Sequence, residues 1–335
     1  MSLGKLGQAL TAREIFGLIH EDLASVEQRL SSESIGSVDT VTAIGQYLQS
    51  SGGKRLRPSL LLLAAKLTSG GKATETALQL GAVVELIHAA TLVHDDVIDA
   101  AETRRGRPST NVKWGNHTCV LAGDWLYMQS FQIALRERSF QVLDLLISLT
   151  QMMVEGELLQ LERIGHIEIS EADCMQLVDR KTACLFSVCA KLGAVASNAS
   201  NEVQEKLGEY AWNLGMAFQL VDDLLDFTAR QETLGKPVGG DLREGKVTLP
   251  LVYALECATP EEREMVATIL HERNYESVPF SRIHSMVKKY RGIERVKERA
   301  QAFTEQARQI ISEFPESRYQ RALLAVTELV TERDR

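Results

Sequence analysis

The sequence is poor in aromatic residues and in proline, and both shortages restrict the fold. Aromatic residues make up 6% of the 335 residues, and there are seven prolines. Proline breaks helices because its ring removes a backbone donor, so long helices meet few interruptions here. No run shows the alternation and turn residues of a hairpin, and the apolar periodicity is helical nearly throughout. The sequence therefore predicts an all-α helical bundle.

Cysteine patterns of a disulfide scaffold or a metal knuckle are also missing. The five cysteines are odd in number, and no Cys-x-x-Cys occurs. We therefore expect reduced thiols in the core of a cytoplasmic protein. The N-terminus lacks the charged-then-apolar pattern of a signal peptide. The longest apolar stretch, residues 77–93, contains Gln79, Glu85 and His88, so we expect a buried core helix and no transmembrane segment.

Positive charge is in deficit, and linker composition is absent. The net charge of -8 argues against a general nucleic-acid-binding protein. It does not exclude a small anionic ligand, because local basic clusters decide that. No low-complexity or Pro/Ser-rich stretch marks a boundary, so the sequence predicts a single domain over residues 1–335.

The helical periodicity divides the chain into segments that end near glycine, proline or polar clusters. Thr11 with Glu14 forms a capping-box pattern, and Ser170 precedes an acidic first turn. The predicted helices are 11–31, 38–50, 56–68, 73–101, 118–138, 140–163, 170–198, 201–230, 248–256, 260–270, 293–312 and 315–333.

Two aspartate triplets carry the clearest chemical signal. Both have the pattern D-D-x-x-D at the end of an apolar helical stretch: Asp95, Asp96, Asp99 and Asp222, Asp223, Asp226. On a helix the first and third aspartates project together, whereas the second points about 100° away. Carboxylates on an apolar surface need a partner because their desolvation is costly. Clustered carboxylates without thiols suit a hard cation, and Mg²⁺ is the common one inside cells.

Basic, glycine-containing loops follow each triplet, and another lies upstream. They are residues 52–58 (GGKRLRP), 104–108 (RRGRP) and 235–241 (GKPVGGD), the last followed by Arg243 and Lys246. Any one cluster alone could be a solvated charged face. Two triplets, each with its own basic loop, instead favour a metal–diphosphate substrate, because Arg and Lys bind diphosphate oxygens.

These motifs resemble those of the trans-isoprenyl diphosphate synthases, or polyprenyl synthetases. The resemblance covers nearly the whole chain, and is densest from Gly52 to Pro250. It rests on residues 52–58, 94–99 with 104–106, 181–182, and 219–226 with 235–237. It implies the isoprenoid synthase fold, an all-α bundle around a deep central cavity, usually as a homodimer. The implied reaction joins isopentenyl diphosphate head-to-tail to an allylic diphosphate.

The resemblance also implies a role for each motif residue. Isopentenyl diphosphate would be held by Lys54, Arg57, His88 and Arg105. Mg²⁺ bridging the allylic diphosphate would be held by Asp95, Asp96, Asp99, Asp222, Asp223 and Asp226. That diphosphate would be neutralised by Arg104, Lys181, Lys236 and Lys246, and the allylic cation would form beside Thr182 and Gln219. Cations stabilise the leaving diphosphate, and apolar walls exclude water from the carbocation.

Product length is expected to depend on residues just before the first triplet. In the family, positions one and two turns upstream shape the tunnel for the growing chain, and here they are Ile87, Ala90 and Thr91. Because 90 and 91 are small and the first motif carries no insertion, we expect a long-chain product, about octaprenyl, for a quinone tail. Bulk for a tunnel floor could come from Trp125, Tyr127, Met128 and Phe131, although ordinary core packing explains these four equally well.

Three alternatives stay open. The first is a shorter-chain geranylgeranyl or farnesyl diphosphate synthase. The second is a terpene cyclase or squalene-type synthase, which usually lacks the second D-D-x-x-D and the site around Lys54 and Arg57. The third is an inactive regulatory subunit, although such subunits tend to lose aspartates and all six are present. The expected partners are the two diphosphates and a second copy of the chain, with transient membrane association as an option for product release.

Overall fold

The computed structural model describes residues 10–228 and 238–331, and these residues are helical almost throughout. The all-α prediction is confirmed. The helices are α1 (Ala12–Gly17), α2 (His20–Glu33), α3 (Asp39–Ser50), α4 (Leu56–Thr68), α5 (Glu75–Ile98), α6 (Thr110–Trp114), α7 (Asn116–Arg136), α8 (Phe140–Arg163), α9 (Glu171–Val178), α10 (Cys184–Ala196), α11 (Asn201–Thr228), α12 (Gly240–Arg243), α13 (Leu249–Leu255), α14 (Pro260–Glu272), α15 (Phe280–Lys289), α16 (Gly292–Ser312) and α17 (Arg318–Thr331). A π-helical segment, Asp179–Ala183, joins α9 to α10.

Most predicted helices begin and end within a few residues of the observed ones. The segments 56–68 and 140–163 match α4 and α8 at both ends. The segment 11–31 is wrong as one helix, because the chain leaves helical geometry at Ile19 (φ -127°, ψ 9°) between α1 and α2. Helix α15 was not predicted. Its buried face consists of only Ile283, Met286 and Val287, too short a stripe to stand out from the sequence.

The prediction that the chain forms no strands was also wrong in one place. Two short strands, β1 (Thr103–Arg104) and β2 (Arg107–Pro108), form an antiparallel hairpin. Its turn residues Arg105 (φ 54°) and Gly106 (φ 73°) both have positive φ, as a two-residue hairpin turn requires. Two-residue strands are too short to show period-two alternation, so the sequence could not reveal them.

The predicted capping sites are confirmed. The Thr11 hydroxyl accepts from the backbone of Glu14, whose carboxylate accepts from the Thr11 backbone in return. Ser170 makes the same reciprocal pair with Asp173. Each pair satisfies backbone donors that the first helical turn leaves open, so these ends of α1 and α9 are fixed by local sequence.

The described residues belong to two compact units. Unit 1 comprises Met1–Thr150, Phe186–Ala211 and Ile310–Val326, and unit 2 comprises Gln151–Leu185, Trp212–Gln309 and Thr327–Arg335. In unit 1, α5 packs against α2, α4 and α7. In unit 2, α13 packs against α9 and α15, and α14 packs against α12 and α15. The single-domain organisation stays a prediction.

Helix α5 is the core helix of unit 1, as the apolar stretch predicts. Leu80, Val83, Val84 and Ile87 are fully buried along it. Among the described residues it is the one helix that is long and apolar enough, by length and composition alone, to cross a membrane. Of its most apolar 18 residues, 61% are buried inside the protein. The expected buried core helix is therefore confirmed, and its apolar composition reflects its place in the core. A mostly buried core helix passes the same test.

The cysteines follow the expectation for free thiols, with one exception in burial. All five are free, and four of them, Cys119, Cys174, Cys184 and Cys189, are buried. Cys257 is exposed, so it is not a core thiol. It follows the last turn of α13, at the point where the buried helix ends and the chain returns to solvent.

Candidate active site

The basic loop before α4 is tied to the arginine hairpin within unit 1. Arg55 takes a left-handed conformation (φ 49°, ψ 35°) as the residue before α4. Its guanidinium pairs with Glu85 at 3.0 Å and Glu27 at 3.1 Å. The Arg105 guanidinium donates to the Gly52 carbonyl. The unusual backbone of this loop is therefore held by ion pairs from α2 and α5 and by the hairpin.

Positive charge surrounds His88 on α5. Burial lowers the pKa of His88 well below its usual value, and Arg57, Arg105, Arg104 and Arg55 lower it further, in that order. The imidazole is therefore neutral at pH 7, because burial and the positive charge of the four arginines both disfavour its protonation. The Arg57 guanidinium also lies over the Phe186 ring, 6.0 Å from its centroid. An excess of positive charge around a buried group has a use where a multiply charged anion binds.

The first triplet divides into one buried and two half-buried carboxylates. Asp96 is fully buried. It accepts from Arg104 Nε at 2.6 Å and from the Thr110 backbone N–H and hydroxyl at 2.8 Å each. Asp95 and Asp99 are half-buried, and Asp99 caps the end of α5 through its N–H to the Asp95 carbonyl at 2.8 Å. The two outer aspartates therefore suit a cation, whereas Asp96 holds Arg104.

The Asp95 carboxylate is also near Tyr127 of α7. Burial, with Asp95 as a second cause, raises the pKa of Tyr127 to about 12. The Tyr127 ring packs on His94, with centroids 5.8 Å apart. This end of α5 is thus packed against α7 by the contact between the His94 and Tyr127 rings, and the Tyr127 phenol stays uncharged at neutral pH.

The predicted tunnel residues take different environments in unit 1. Ile87 and Ala90 are fully buried, and Thr91 is half-buried with its hydroxyl donating to the His88 carbonyl at 2.8 Å. On α7, Phe131 is half-buried, but Met128 is 62% exposed. Met128 therefore packs neither in the core of a single chain nor under a tunnel within it. Chain-length roles for Ile87, Ala90, Thr91 and Phe131 stay predictions.

In unit 2, Lys181 and Thr182 lie on the π-helical segment. π-bulges are rare and often occur at functional sites. The Lys181 ammonium contacts Glu157 Oε2 at 2.7 Å and Gln160 Oε1 at 3.3 Å. The Thr182 hydroxyl donates to Gln219 Oε1 at 2.8 Å. The Gln219 amide in turn donates to Asp223 Oδ1 at 2.9 Å. The predicted residues Lys181, Thr182 and Gln219 are thus connected to the second triplet.

The carboxyl groups of the second triplet are crowded together with that of Asp241. Burial raises the pKa of Asp223 well above its usual range, and Asp241 adds repulsion, partly offset by the Gln219 amide. Burial and Asp241 also raise the pKa of Asp226 to about 7. Asp226 Oδ1 accepts from the Gly240 N–H at 3.0 Å, which brings Asp241 and α12 to the triplet. A cation would relieve this repulsion, so the residues present fit a divalent metal.

Lys181, Gln219, Asp223 and Asp241 line one cavity of about 220 Å³ in unit 2. Its polar lining combines cations, carboxylates and amides: Lys181, Lys246, Arg163, Asp223, Asp241, Gln160 and Gln219. Apolar walls come from Ile164, Ile169, Leu177 and Val178. Within residues 10–228 and 238–331, no three His, Cys, Asp or Glu side chains form a metal site by themselves. Mg²⁺ commonly takes part of its ligands from a bound phosphate, and this lining has room and charge for one.

Each of the two units thus contains part of the set of site residues predicted from the sequence. Unit 1 holds Lys54, Arg57, His88, Arg104, Arg105 and the first triplet, and unit 2 holds Lys181, Thr182, Gln219, Lys246 and the second triplet. Lys236 lies outside the described residues. Sequence reasoning missed Glu157 and Asp241 as site residues. The position of Asp241 at the end of the basic loop 235–241 was a usable signal for it, whereas Glu157 had none.

Comparisons with known proteins agree with this inventory. The sequence model of the Polyprenyl synthetase family matches residues 38–287. Octaprenyl diphosphate synthase of Escherichia coli (strain K12) is 34% identical over 326 residues, 97% of this chain and 100% of that protein. Geranylgeranyl diphosphate synthase of Sulfolobus acidocaldarius is 35% identical over 278 residues, 81% of this chain and 84% of that protein.

Solved structures agree as well. A polyprenyl synthase from Caulobacter crescentus CB15, complexed with calcium and isoprenyl diphosphate, superposes with a TM-score of 0.91 at 32% identity, over 98% of this chain and 100% of that one. This chain therefore belongs to the polyprenyl synthetase family of trans-prenyltransferases.

Proposed function

We propose that the protein joins isopentenyl diphosphate to an allylic diphosphate, farnesyl or geranylgeranyl, and extends it to a long-chain all-trans polyprenyl diphosphate of about octaprenyl length. The observation that carries the proposal is the cavity of unit 2, where Lys181 and Lys246 line the same space as Asp223 and Asp241. Cations beside crowded carboxylates suit a metal-bound diphosphate and little else.

Mg²⁺ is the proposed metal, and when bound it supplies charge that stabilises the leaving diphosphate. Asp95 and Asp99 are proposed to bind Mg²⁺ in unit 1, and Asp222 and Asp226 are proposed to bind Mg²⁺ in unit 2. Lys181 and Lys246 then bind diphosphate oxygens, and Lys181 exchanges its contact with Glu157 at 2.7 Å for the substrate. Their charge is positioned before the reaction, so it stabilises the separating ions without reorganisation.

The other predicted site residues are proposed to bind isopentenyl diphosphate and to surround the allylic cation. Lys54, Arg57, Arg105 and neutral His88 are proposed to hold isopentenyl diphosphate, supported by the positive charge that lowers the pKa of His88. Gln219 lines the cavity and accepts from the Thr182 hydroxyl, so these two uncharged side chains are proposed to lie beside the allylic cation. The released diphosphate is the proposed acceptor of the final proton.

Long product length is supported by two observations. The similarity to the octaprenyl synthase covers 97% of this chain, against 81% for the geranylgeranyl synthase. The small side chain of Ala90 also keeps bulk away from the helix face upstream of Asp95. Incubation of the purified protein with farnesyl diphosphate, labelled isopentenyl diphosphate and Mg²⁺ should yield products of about octaprenyl length. Products stopping at geranylgeranyl would overturn the long-chain proposal.

The role of the cations can be tested with a matched pair of variants. Lys181→Ala should lower kcat by on the order of 100-fold, because one preorganised charge at the leaving group is lost. Lys206→Ala is the control, because Lys206 is a surface residue that pairs with Glu202 and Glu313. Activity should also disappear in excess EDTA and return with Mg²⁺. Equal activity of the two variants would contradict the proposed role of Lys181.

A homodimer is the proposed assembly. Helix α7 exposes Leu121 (69%), Met128 (62%) and Leu135 (48%) at seven-residue spacing, and α8 continues with Phe140 (85%) in the same unit. Seven-residue apolar spacing is the pattern of a helix that packs along another helix, so a second copy is the proposed occupant. Met128→Asp should yield monomers by light scattering, whereas Ile35→Asp, equally exposed but off this stripe, should remain dimeric.

A cytoplasmic location is proposed on the five free thiols, since oxidising compartments would favour their pairing. Transient contact with a membrane during release of the product is a further proposal, motivated by the apolar chain that the reaction makes. Co-sedimentation of the protein with liposomes, with and without product, would test it.

A further inference from the structure

The π-helical segment Asp179–Ala183 brings Lys181 to the cavity and Thr182 to Gln219, which also lines it. Contacts from α8 and α11 hold the segment. A π-turn is less stable than an α-turn, so the segment needs support from its surroundings. Without that support, α9 and α10 would regularise into one α-helix. The extra residue would be lost from the turn, and the side chains after it would rotate by about 100°.

The first contact fixes the start of the segment. The indole Nε1–H of Trp212, on α11, donates to Asp179 Oδ1 at 2.6 Å. The Trp212 ring is held in turn by an edge-on contact with Phe303, with centroids 5.7 Å apart. A charge-assisted hydrogen bond from a packed indole leaves the Asp179 side chain little freedom.

The other contacts come from three consecutive residues of α8. Glu155 pairs with Arg180, and Glu157 contacts Lys181 at 2.7 Å. Between them, Gly156 lets the two backbones approach closely. A Cβ on Gly156 would lie 2.8 Å from Arg180 Cβ and 3.3 Å from its carbonyl carbon, which is too close unless one helix moves.

We propose that Trp212, Asp179 and Gly156 are positioning residues that hold the π-helical segment so that Lys181 and Thr182 reach the allylic diphosphate. This inference rests on the proposed function of Lys181 and Thr182. None of the three touches the substrate in this scheme. Their effect passes through the backbone of residues 179–183 to the ammonium and the hydroxyl.

The test compares variants that remove a holding contact with variants that keep it. Trp212→Phe keeps an aromatic ring but removes the donor, and Asp179→Leu removes the acceptor. Asp179→Asn keeps an acceptor oxygen and should rescue. Misplacement of a binding group by about 1 Å can cost on the order of 100-fold in rate, so Trp212→Phe and Asp179→Leu should lower kcat by about 10- to 100-fold. The KM for isopentenyl diphosphate should not change.

Gly156→Ala supplies an independent test with its own control. Alanine favours helix over glycine, so an effect on helix propensity alone would leave the activity intact. We expect kcat to fall as in Trp212→Phe. Gly17→Ala, at a helical glycine with nothing within 4 Å of the added Cβ, should behave as wild type.

A spectroscopic measurement reports the contact directly. In protein labelled with ¹⁵N-tryptophan, the Trp212 indole signal should exchange slowly with solvent, and faster in Asp179→Leu than in Asp179→Asn. Wild-type kcat in Trp212→Phe and Asp179→Leu would overturn the positioning role. So would a parallel rise in the KM for isopentenyl diphosphate with loss of thermal stability, since that indicates general damage. Absence of prenyl transfer by the wild type would instead overturn the proposed function.

Discussion

Asp96 separates two explanations of the first D-D-x-x-D motif, and we expect it to act as a structural anchor. Its carboxylate is fully buried and accepts from Arg104 at 2.6 Å and twice from Thr110 at 2.8 Å. Arg104 is 30% exposed, so solvent compensates part of its charge when the carboxylate is removed, whereas the buried Thr110 donors lose their acceptor. Asp96→Ala should therefore cost about 1–3 kcal/mol and lower Tm by a few degrees.

The assay is thermal unfolding in EDTA, followed by calorimetric titration with Mg²⁺ and pyrophosphate. Asp96→Ala should lose stability in EDTA, where no metal contributes. Asp96→Asn keeps one acceptor oxygen and should lie between Asp96→Ala and wild type. Asp95→Asn is the matched control. Because Asp95 is half-buried at the end of α5, its variant should keep its Tm in EDTA and lose binding of the metal–pyrophosphate pair.

The opposite pattern would refute this reasoning. If Asp96→Asn keeps the wild-type Tm in EDTA and loses binding of Mg²⁺ with pyrophosphate, Asp96 is a metal ligand. Its contacts with Arg104 and Thr110 would then be exchanged for metal on binding. If both variants keep both properties, the motif has neither of the two roles.

Three further predictions concern pH, product length and the arginine hairpin. The pKa of Asp226 is raised to about 7 in the folded protein, compared with about 3.9 in the unfolded chain. The protonated Asp226 carboxyl therefore stabilises the metal-free protein fully below about pH 3.9. This stabilisation is lost as the pH rises through about 7. Tm in EDTA should therefore fall between about pH 4 and about pH 7, less so in Asp226→Asn, and equal slopes would contradict the assignment. Ala90→Phe should shorten the product in the farnesyl-primed assay, and an unchanged length would rule out a tunnel there. The Arg107 guanidinium carbon lies 4.2 Å from the centroid of the Tyr47 ring, and the Tyr47 hydroxyl donates to the Pro108 carbonyl at 2.7 Å. Tyr47→Leu should loosen the hairpin that carries Arg105, raising the KM for isopentenyl diphosphate while kcat changes little, and an unchanged KM would exclude this role.

The parts of the fold that follow local rules were predictable. Helix α4 and helix α8 coincide with the predicted segments, and the caps at Thr11 and Ser170 form as their spacing indicates. These features depend on residues within one or two turns, so the sequence contains all the information they need.

The features that could not be predicted from the sequence depend on contacts between residues far apart in it. The indole of Trp212 reaches Asp179 across 33 positions, and Lys181 meets Glu157 across 24. No local pattern encodes such pairs. The π-helical segment is equally hidden, because its sequence, Asp179–Ala183, has ordinary helix-forming residues and depends on its surroundings for its geometry.

The two triplets share one structural feature, the burial of the middle aspartate, which the spacing alone only suggested. In each motif the second aspartate is the buried one, with Asp96 at 0% and Asp223 at 8% exposure, because it lies about 100° from the face that carries the outer pair. Asp96 binds Arg104, and Asp223 accepts from Gln219. Each middle aspartate thus connects the end of its apolar helix to a side chain that we assign to the diphosphate or the allylic cation. The pattern D-D-x-x-D therefore combines two tasks on one turn, since i and i+4 present a pair of carboxylates to a metal while i+1 fixes a neighbouring substrate-binding group. Substitution of the middle residue should then disturb Arg104 or Gln219 before it disturbs the metal, and this order distinguishes the two tasks experimentally.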